Sequence, residues 1–383
     1  MVDFADARAR LGRPDQVAAR STAAHLDRLT KPRGSLGRLE VLAVQLAGIA
    51  GESPPPVPEP GVVAVFAGDH GVLAEGVSPW PAEVTAQMVA NFCAGGAAIN
   101  VLARHARAGV VVIDVGVAAD LPPADGLVPA KVRAGTANLA EQPAMTAEET
   151  TAALDIGAAV ADDLVTKGAR CLITGDMGIA NTTPSAALIA AFTCRPASAV
   201  TGRGTGIGDD EWARKVQVVE RGLARTAAET IVEPEAVLAS LGGLEIAALA
   251  GFIVAGAAAR VPVLVDGVIA VAAGVVAEAL APGCAAFCVA GHRSIEPGAS
   301  AGLDHLGLSP LLDLDLRLGE GTGACLALPV LQGAARIVRE MATFDSAGVS
   351  DKTAGGGAGG PRREEEGGDG RPPGAAKPPE KQP

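Results

Sequence analysis

Tyrosine is absent, and aromatic residues make up only 2% of the 383-residue chain. Such a chain cannot build its interior around large rings. Its 49% of apolar residues are mostly Ala and Val, so its helices must approach closely over small side chains. Basic charge is also scarce, with 31 Lys and Arg against 43 Asp and Glu, a formal net charge of −12. That excludes nucleic acid as a partner, because phosphate neutralisation needs a concentrated basic surface. One phosphorylated small molecule remains possible, since it needs only a pocket of amides and a single cation. Long hydrophobic runs are missing too. Between Ile246 and Ala290 the apolar stretches are interrupted by Arg260, Asp266 and Glu278, and the longest, about 14 residues, is too short to cross about 30 Å of hydrocarbon. The start, Met1-Val2-Asp3-Phe4-Ala5-Asp6, has neither the basic nor the apolar region of a signal peptide. A cytoplasmic protein without a membrane partner is expected.

Cysteine is limited to six residues, Cys93, Cys171, Cys194, Cys284, Cys288 and Cys325, all in apolar surroundings. A disulfide framework belongs to small secreted domains, so free thiols in a reducing compartment are expected. Cys284, Cys288 and His292 are spaced four apart. The residues between them read as a buried strand, which would spread these side chains too far along the chain to share an ion. Neither a metal nor a cofactor is expected.

What is present is alternation. Two helical patterns, about 14–29 and 36–49, are joined by Thr30-Lys31-Pro32-Arg33-Gly34-Ser35, and a Pro-rich linker runs from Gly51 to Gly61. From Val62, short apolar runs end in Gly or Asp: 62–67, 110–115, 171–174, 197–201, 261–265 and 286–290. Helical candidates at 81–107, 147–167, 183–191, 209–231, 244–259 and 269–280 lie between or beside them, and a last helix is expected at about 321–344. Continuous apolar strands alternating with helices predict an α/β fold with a mostly parallel sheet covered on both faces. Ligands of such sheets gather at the carboxyl ends of the strands. Beyond Ser350 the composition shifts to Gly, Pro and charge, so residues 351–383 are expected to form a disordered tail.

Four segments carry candidate chemistry. Gly68-Asp69-His70-Gly71 could do acid–base work, bind a metal or form a capped turn. In Gly175-Asp176-Met177-Gly178-Ile179-Ala180-Asn181-Thr182-Thr183-Pro184, glycines and a helix start offer free N–H groups to an anion. Asp176 is unexpected beside a phosphate and better suited to a hydroxyl or cationic part of a ligand; an ordinary capped loop is the alternative. Thr201-Gly202-Arg203-Gly204-Thr205-Gly206-Ile207-Gly208 is neither a P-loop nor a dinucleotide fingerprint. Lys215, in the helix that follows, is either the phosphate cation or a solvated helix lysine. Last, Glu320 stands between Gly319 and Gly321 at a helix start. It can be a general base whose pKa is raised by partial burial, or a residue that only favours the helix dipole.

Taken in order, these segments resemble the nicotinate-nucleotide:dimethylbenzimidazole phosphoribosyltransferase family. The resemblance runs from about Leu26 to Ser350. It includes Lys31-Pro32-Arg33-Gly34-Ser35-Leu36-Gly37-Arg38-Leu39-Glu40, Ala67-Gly68-Asp69-His70-Gly71, Glu83-Val84-Thr85-Ala86-Gln87-Met88, Asn181-Thr182-Thr183-Pro184 and Gly202-Arg203-Gly204-Thr205-Gly206. Asp266-Gly267, His292-Arg293-Ser294-Ile295-Glu296-Pro297-Gly298 and Arg317-Leu318-Gly319-Glu320-Gly321-Thr322-Gly323 complete it. The resemblance implies transfer of a 5-phosphoribosyl group from nicotinate mononucleotide to 5,6-dimethylbenzimidazole. The expected partners are therefore that nucleotide and a benzimidazole.

It also implies a Rossmann-like main domain, residues 61–318, and a homodimer. A small helical domain would come from the chain ends, residues 1–60 with the helix of 319–350. Glu320 matches the catalytic glutamate, and Asp176 stands where the family commonly has a second functional Glu. Ser78 and Gln87 match positions lining the benzimidazole pocket. Gly175, Gly178, Asn181, Thr182, Gly202, Gly204 and Lys215 match the nucleotide side, and Leu318 completes the expected substrate-binding set. Trp80 stands where Tyr is usual, which leaves the preferred base open. A phosphoribosyltransferase for another azole or purine base, and a non-catalytic nucleotide-binding regulator, are the rival readings.

Overall fold

The computed structural model describes residues 2–204 and 206–350, so the expected tail at 351–383 lies outside the described residues. Six strands form one sheet: β1 Gly61–Gly68, β2 Gly109–Gly116, β3 Leu127–Pro129, β4 Cys171–Met177, β5 Val263–Val265 and β6 Cys288–Ala290. Every neighbouring pair is parallel, and the spatial order is β3-β2-β1-β4-β5-β6. The order reverses between β1 and β4, and such a switch point leaves a crevice at the strands' carboxyl ends. A two-residue parallel pair, β7 His292–Arg293 with β8 Leu312–Asp313, extends the structure past β6.

Alternate strand side chains enter two separate cores, which explains why the strands read as unbroken apolar runs. Ala64, Phe66, Ile113 and Leu172 pack with helices Ala147–Thr166, Thr182–Thr193, Leu244–Ala258 and Val268–Leu280. Val63, Val65, Val112 and Ile173 pack on the other face with helices Glu83–Cys93, Ala98–Ala106 and Thr322–Glu340. The N-terminal helices Gln16–Leu26 and Arg38–Ala50 join this second core and pack against Thr322–Glu340. Helix Phe4–Arg10 instead joins the first core.

The scarcity of large side chains shows where helices 147–166 and 244–258 cross. A Cβ on Gly157 would fall 1.8 Å from the Ala248 carbonyl oxygen, and one on Gly251 would fall 2.0 Å from that of Leu154. The two backbones touch, and only glycine fits at the crossing.

Several expected elements differ. Residues 197–201 do not form a strand: Ala197–Val200 is a single helical turn, and the glycine-rich loop follows it rather than a strand end. Short apolar runs carry no period that separates strand from helix. The 286–290 strand begins only at Cys288, after a 3₁₀ turn over Cys284–Phe287. The helix expected over 81–107 is broken around Gly95-Gly96 into pieces of 11 and 9 residues. That stretch is the only one among the described residues with the length and apolar composition to cross a membrane, and neither piece reaches the roughly 20 residues needed.

Candidate active site

A cavity of about 370 Å³ opens at the carboxyl ends of β4 and β5. Its lining includes Ser78, Asp176, Gly178, Asn181, Thr182, Gly204, Lys215, Leu318 and Glu320. Nine of the twelve expected positions are thus brought together. Gly175 lies just beneath, where a Cβ would meet the Glu320 carbonyl oxygen at 2.8 Å. Gly202 lies behind the wall against Glu296. Gln87 is exposed on helix 83–93 and does not line the cavity.

Glu320 sits in a stretch of backbone that few sequences permit. Gly319, Glu320 and Gly321 have φ of 81°, 62° and 90°, so the flanking glycines let the chain turn left-handed and push the glutamate inward. Helix Thr322–Glu340 starts immediately afterwards and has no cap of its own. Asp266, at the end of β5, supplies one: its Oδ2 accepts from Gly321 N at 3.1 Å and its Oδ1 from Ala324 N at 2.8 Å. Asp266 N in turn donates to Thr174 Oγ1 at 3.0 Å. His292, 1% exposed, places Nε2 3.4 Å from Asp266 Oδ1 and packs where a Cβ on Gly323 would collide with it. The Glu320 carboxylate itself accepts from Ile99 N at 3.2 Å. Burial pushes its pKa upward; the Ile99 amide offsets part of that, and the Asp266 charge adds to it.

Asp176, at the end of β4, is 4% exposed. Its Oδ1 accepts from Asn181 Nδ2 at 3.2 Å, while Oδ2 has no partner. Burial, followed by the nearby Asp266, Glu245 and Glu320 carboxylates, drives its pKa well above the ordinary range. A carboxyl in that setting holds its proton and can donate to a ligand. A carboxyl that keeps its proton does not repel an anion.

The opposite end is cationic. Lys215 is 1% exposed and donates to Thr182 Oγ1 at 2.7 Å. Burial lowers its pKa to about 8, against the opposing pull of Glu296. It is therefore not a solvated helix lysine. Glu296 accepts from Gly204 N at 2.8 Å. The mouth is apolar, with Val77, Pro79, Val84, Met88, Ile179 and a half-exposed Trp80. Thr85, buried on helix 83–93, anchors this wall by accepting from Ile179 N at 3.2 Å.

Asp69 and His70 do not line the cavity. Asp69 Oδ2 accepts from Ala118 N at 2.8 Å, and His70 Nε2 meets Glu245 Oε1 at 2.8 Å in a buried pair. Burial works against the charge on His70, but Glu245 and then Asp69 prevail and raise its pKa. The turn reading of this segment fits its place. Sequence reasoning does not single out Asp266, His292 and Glu296 as site residues. An Asp-Gly closing an apolar strand is the one signal that could mark Asp266.

Comparisons with known proteins identify the family. A family model described as a phosphoribosyltransferase matches residues 11–349. The nicotinate-nucleotide–dimethylbenzimidazole phosphoribosyltransferase of Salinispora tropica is 56% identical over 358 residues, covering 90% of this chain and 98% of the relative. The enzyme of that name from Chloroflexus aurantiacus is 53% identical over 343 residues, covering 90% and 97%. A crystal structure of the enzyme from Thermus thermophilus superposes with a TM-score of 0.84 at 49% identity, covering 88% of this chain and 99% of that one. Matched over nearly its full length in sequence and in fold, the chain belongs to the nicotinate-nucleotide:dimethylbenzimidazole phosphoribosyltransferase family.

Proposed function

We propose that this chain transfers the 5-phosphoribosyl group of nicotinate mononucleotide to 5,6-dimethylbenzimidazole, giving α-ribazole 5′-phosphate and nicotinate for the nucleotide loop of cobalamin. The observation that carries this reading is a buried carboxyl, Glu320, in the same cavity as a buried cation, Lys215, with apolar walls between polar ends. Membership of the family supports the choice of substrates.

Glu320 accepts the benzimidazole N–H proton while the other ring nitrogen attacks C1′ of the ribose. The C1′–nicotinate bond breaks on the opposite face, so the β-linkage becomes α. The bonding pair returns to the pyridinium nitrogen, which leaves neutral and needs no acid. Lys215 and Thr182 hold the phosphate, and protonated Asp176 donates to the sugar or base. Ser78, Val84, Met88 and Trp80 accommodate the flat benzimidazole.

The enzyme acts in the cytoplasm as a homodimer, its small helical domain built from residues 1–60 and 319–350. Incubation with nicotinate mononucleotide and a panel of benzimidazoles and purines, with products identified by mass and anomeric configuration, tests this. Formation of the α-riboside and nicotinate supports it. Absence of any transfer overturns it, and transfer to a purine in preference to every benzimidazole replaces the acceptor.

A further inference from the structure

Glu296 is an N-cap residue that does not cap. It precedes helix Pro297–Leu306, yet its side chain makes no bond to that helix. Instead it turns, 6% exposed, toward the glycine-rich loop. Its Oε1 accepts from Gly204 N at 2.8 Å, and Oε2 fills the space beside Gly202, where a Cβ would fall 2.0 Å from it. A side chain at 202 would thus displace this carboxylate from its place. The Cβ position of Gly204 lies 3.6 Å from Lys215 Nζ, so the loop, the carboxylate and the lysine converge at one end of the cavity.

We infer that Glu296 is a positioning residue for the phosphate end, holding the Gly204 amide in place and serving as the counter-charge that keeps Lys215 cationic before substrate arrives. This rests on the reading of that end as the phosphate site. A lysine taken out of water loses its proton unless an anion stands nearby. The other charged or titratable groups lining the cavity are Asp176, His292, Glu320, Arg203 and Arg317; the two arginines are exposed, and none of the five is among the causes that shift Lys215. Glu296 is the charge that opposes the burial of Lys215. A phosphate dianion takes over that role on binding. The charge of the carboxylate is useful only in the empty enzyme, and it repels the ligand once the ligand is bound.

That combination gives a pH signature. The KM for nicotinate mononucleotide should rise in the unaltered enzyme as pH passes about 8, where Lys215 loses its proton. Glu296→Gln still accepts from Gly204 N but carries no charge. Its limb should move down by about one pH unit, raising KM roughly five-fold near pH 8 while leaving it equal or lower near pH 6. The kcat at saturating nucleotide should be unchanged. Glu296→Asp keeps the charge, and its limb should stay within about 0.3 pH units of the unaltered enzyme. A role confined to loop structure would raise KM by one factor at every pH.

The inference is overturned by a flat ratio of KM for Glu296→Gln across pH. A limb displaced in Glu296→Asp by about a full unit overturns it as well, and that variant decides the matter alone if the Gln protein does not fold. Failure of the unaltered enzyme to transfer phosphoribose would instead strike the proposed function, so the two failures are distinct.

Discussion

Replacing Glu320 by Gln separates proton acceptance from every other property of this residue. The amide keeps the size, and its oxygen can still accept from Ile99 N, the bond that orients the carboxylate at 3.2 Å. The left-handed backbone at φ 62° is equally open to either residue. What disappears is the base. The acceptor ring bonds C1′ through one nitrogen and carries positive charge until the other gives up its proton. Losing general base catalysis typically removes about 10²–10⁴ in rate, or about 3–5 kcal/mol of transition-state stabilisation. The kcat should fall by that factor, with both KM values within about two-fold, because neither ground-state contact is lost.

The linkage of charge to folding yields a second, opposite expectation. The folded pKa of Glu320 lies above its ordinary value of 4.5. A carboxyl raised in this way stabilises the fold below its unfolded pKa, and that contribution is lost as pH rises through the folded value. At neutral pH the ionised form is therefore a cost to stability, which Gln removes. The variant should melt at the same temperature as the parent or higher while turning over far more slowly. In the parent, kcat should fall as pH drops through a limb lying above 4.5, and Glu320→Gln should lack that limb. Steady-state kinetics from acid to neutral pH, with thermal melts on the same samples, measure all three quantities. Near-normal turnover by a folded Glu320→Gln enzyme would refute the assignment and move the test to Asp176.

Lys215→Ala should raise the KM for nicotinate mononucleotide by about 10- to 100-fold, the loss expected for one charged hydrogen bond, and affect the benzimidazole far less; equal effects on both would return the lysine to a structural role. Asp176→Asn keeps the shape of a protonated carboxyl and should retain turnover to within about ten-fold, whereas Asp176→Leu should lose considerably more; equal losses would show that the acid has to ionise. Gly157→Ala, whose Cβ would fall 1.8 Å from a backbone oxygen, should lower stability by about 2 kcal/mol or more despite alanine's better helix propensity. A urea midpoint that does not fall would mean the helices can separate there.

Five of the six strands of the sheet were legible because strands buried on both faces have few polar positions to interrupt them; the short, largely exposed edge strand β3 went unread, and 197–201 was read as a strand but is helical. The helices beside the sheet were legible where they were long. Helices Phe4–Arg10, Pro234–Leu241 and Pro297–Leu306 went unread, each shorter than the window of about 11 residues over which a helical period shows clearly. Of the site, Glu320, Asp176 and Lys215 could be found because glycines mark the backbone that presents them. Their partners could not, because the connections are made only in three dimensions. Asp266 reaches 55 residues along the chain to Gly321, Glu296 reaches 92 back to Gly204, and His70 reaches 175 to Glu245. A sequence shows which residue is poised to act more readily than which residue holds it.

The holding residues also set the chemistry. Asp266 caps a helix whose first turn offers no side chain of its own, and in doing so brings a carboxylate toward Glu320 and Asp176. Had the cap been an uncharged residue on the helix itself, Glu320 would be held equally well but would release its proton more easily, and would be a weaker base. Asp176, deeper and facing Asp266, Glu245 and Glu320, is raised further than Glu320, which has an amide to offset its burial. Two carboxyls in one cavity are thus drawn apart, which suits the proposed roles of Asp176 as a donor and Glu320 as a base. Because they interact, the acid limb of the rate profile belongs to the cluster as a whole. The backbone geometry that fixes the base and the charge that tunes it come from the same side chain, so a substitution at Asp266 cannot alter one without the other.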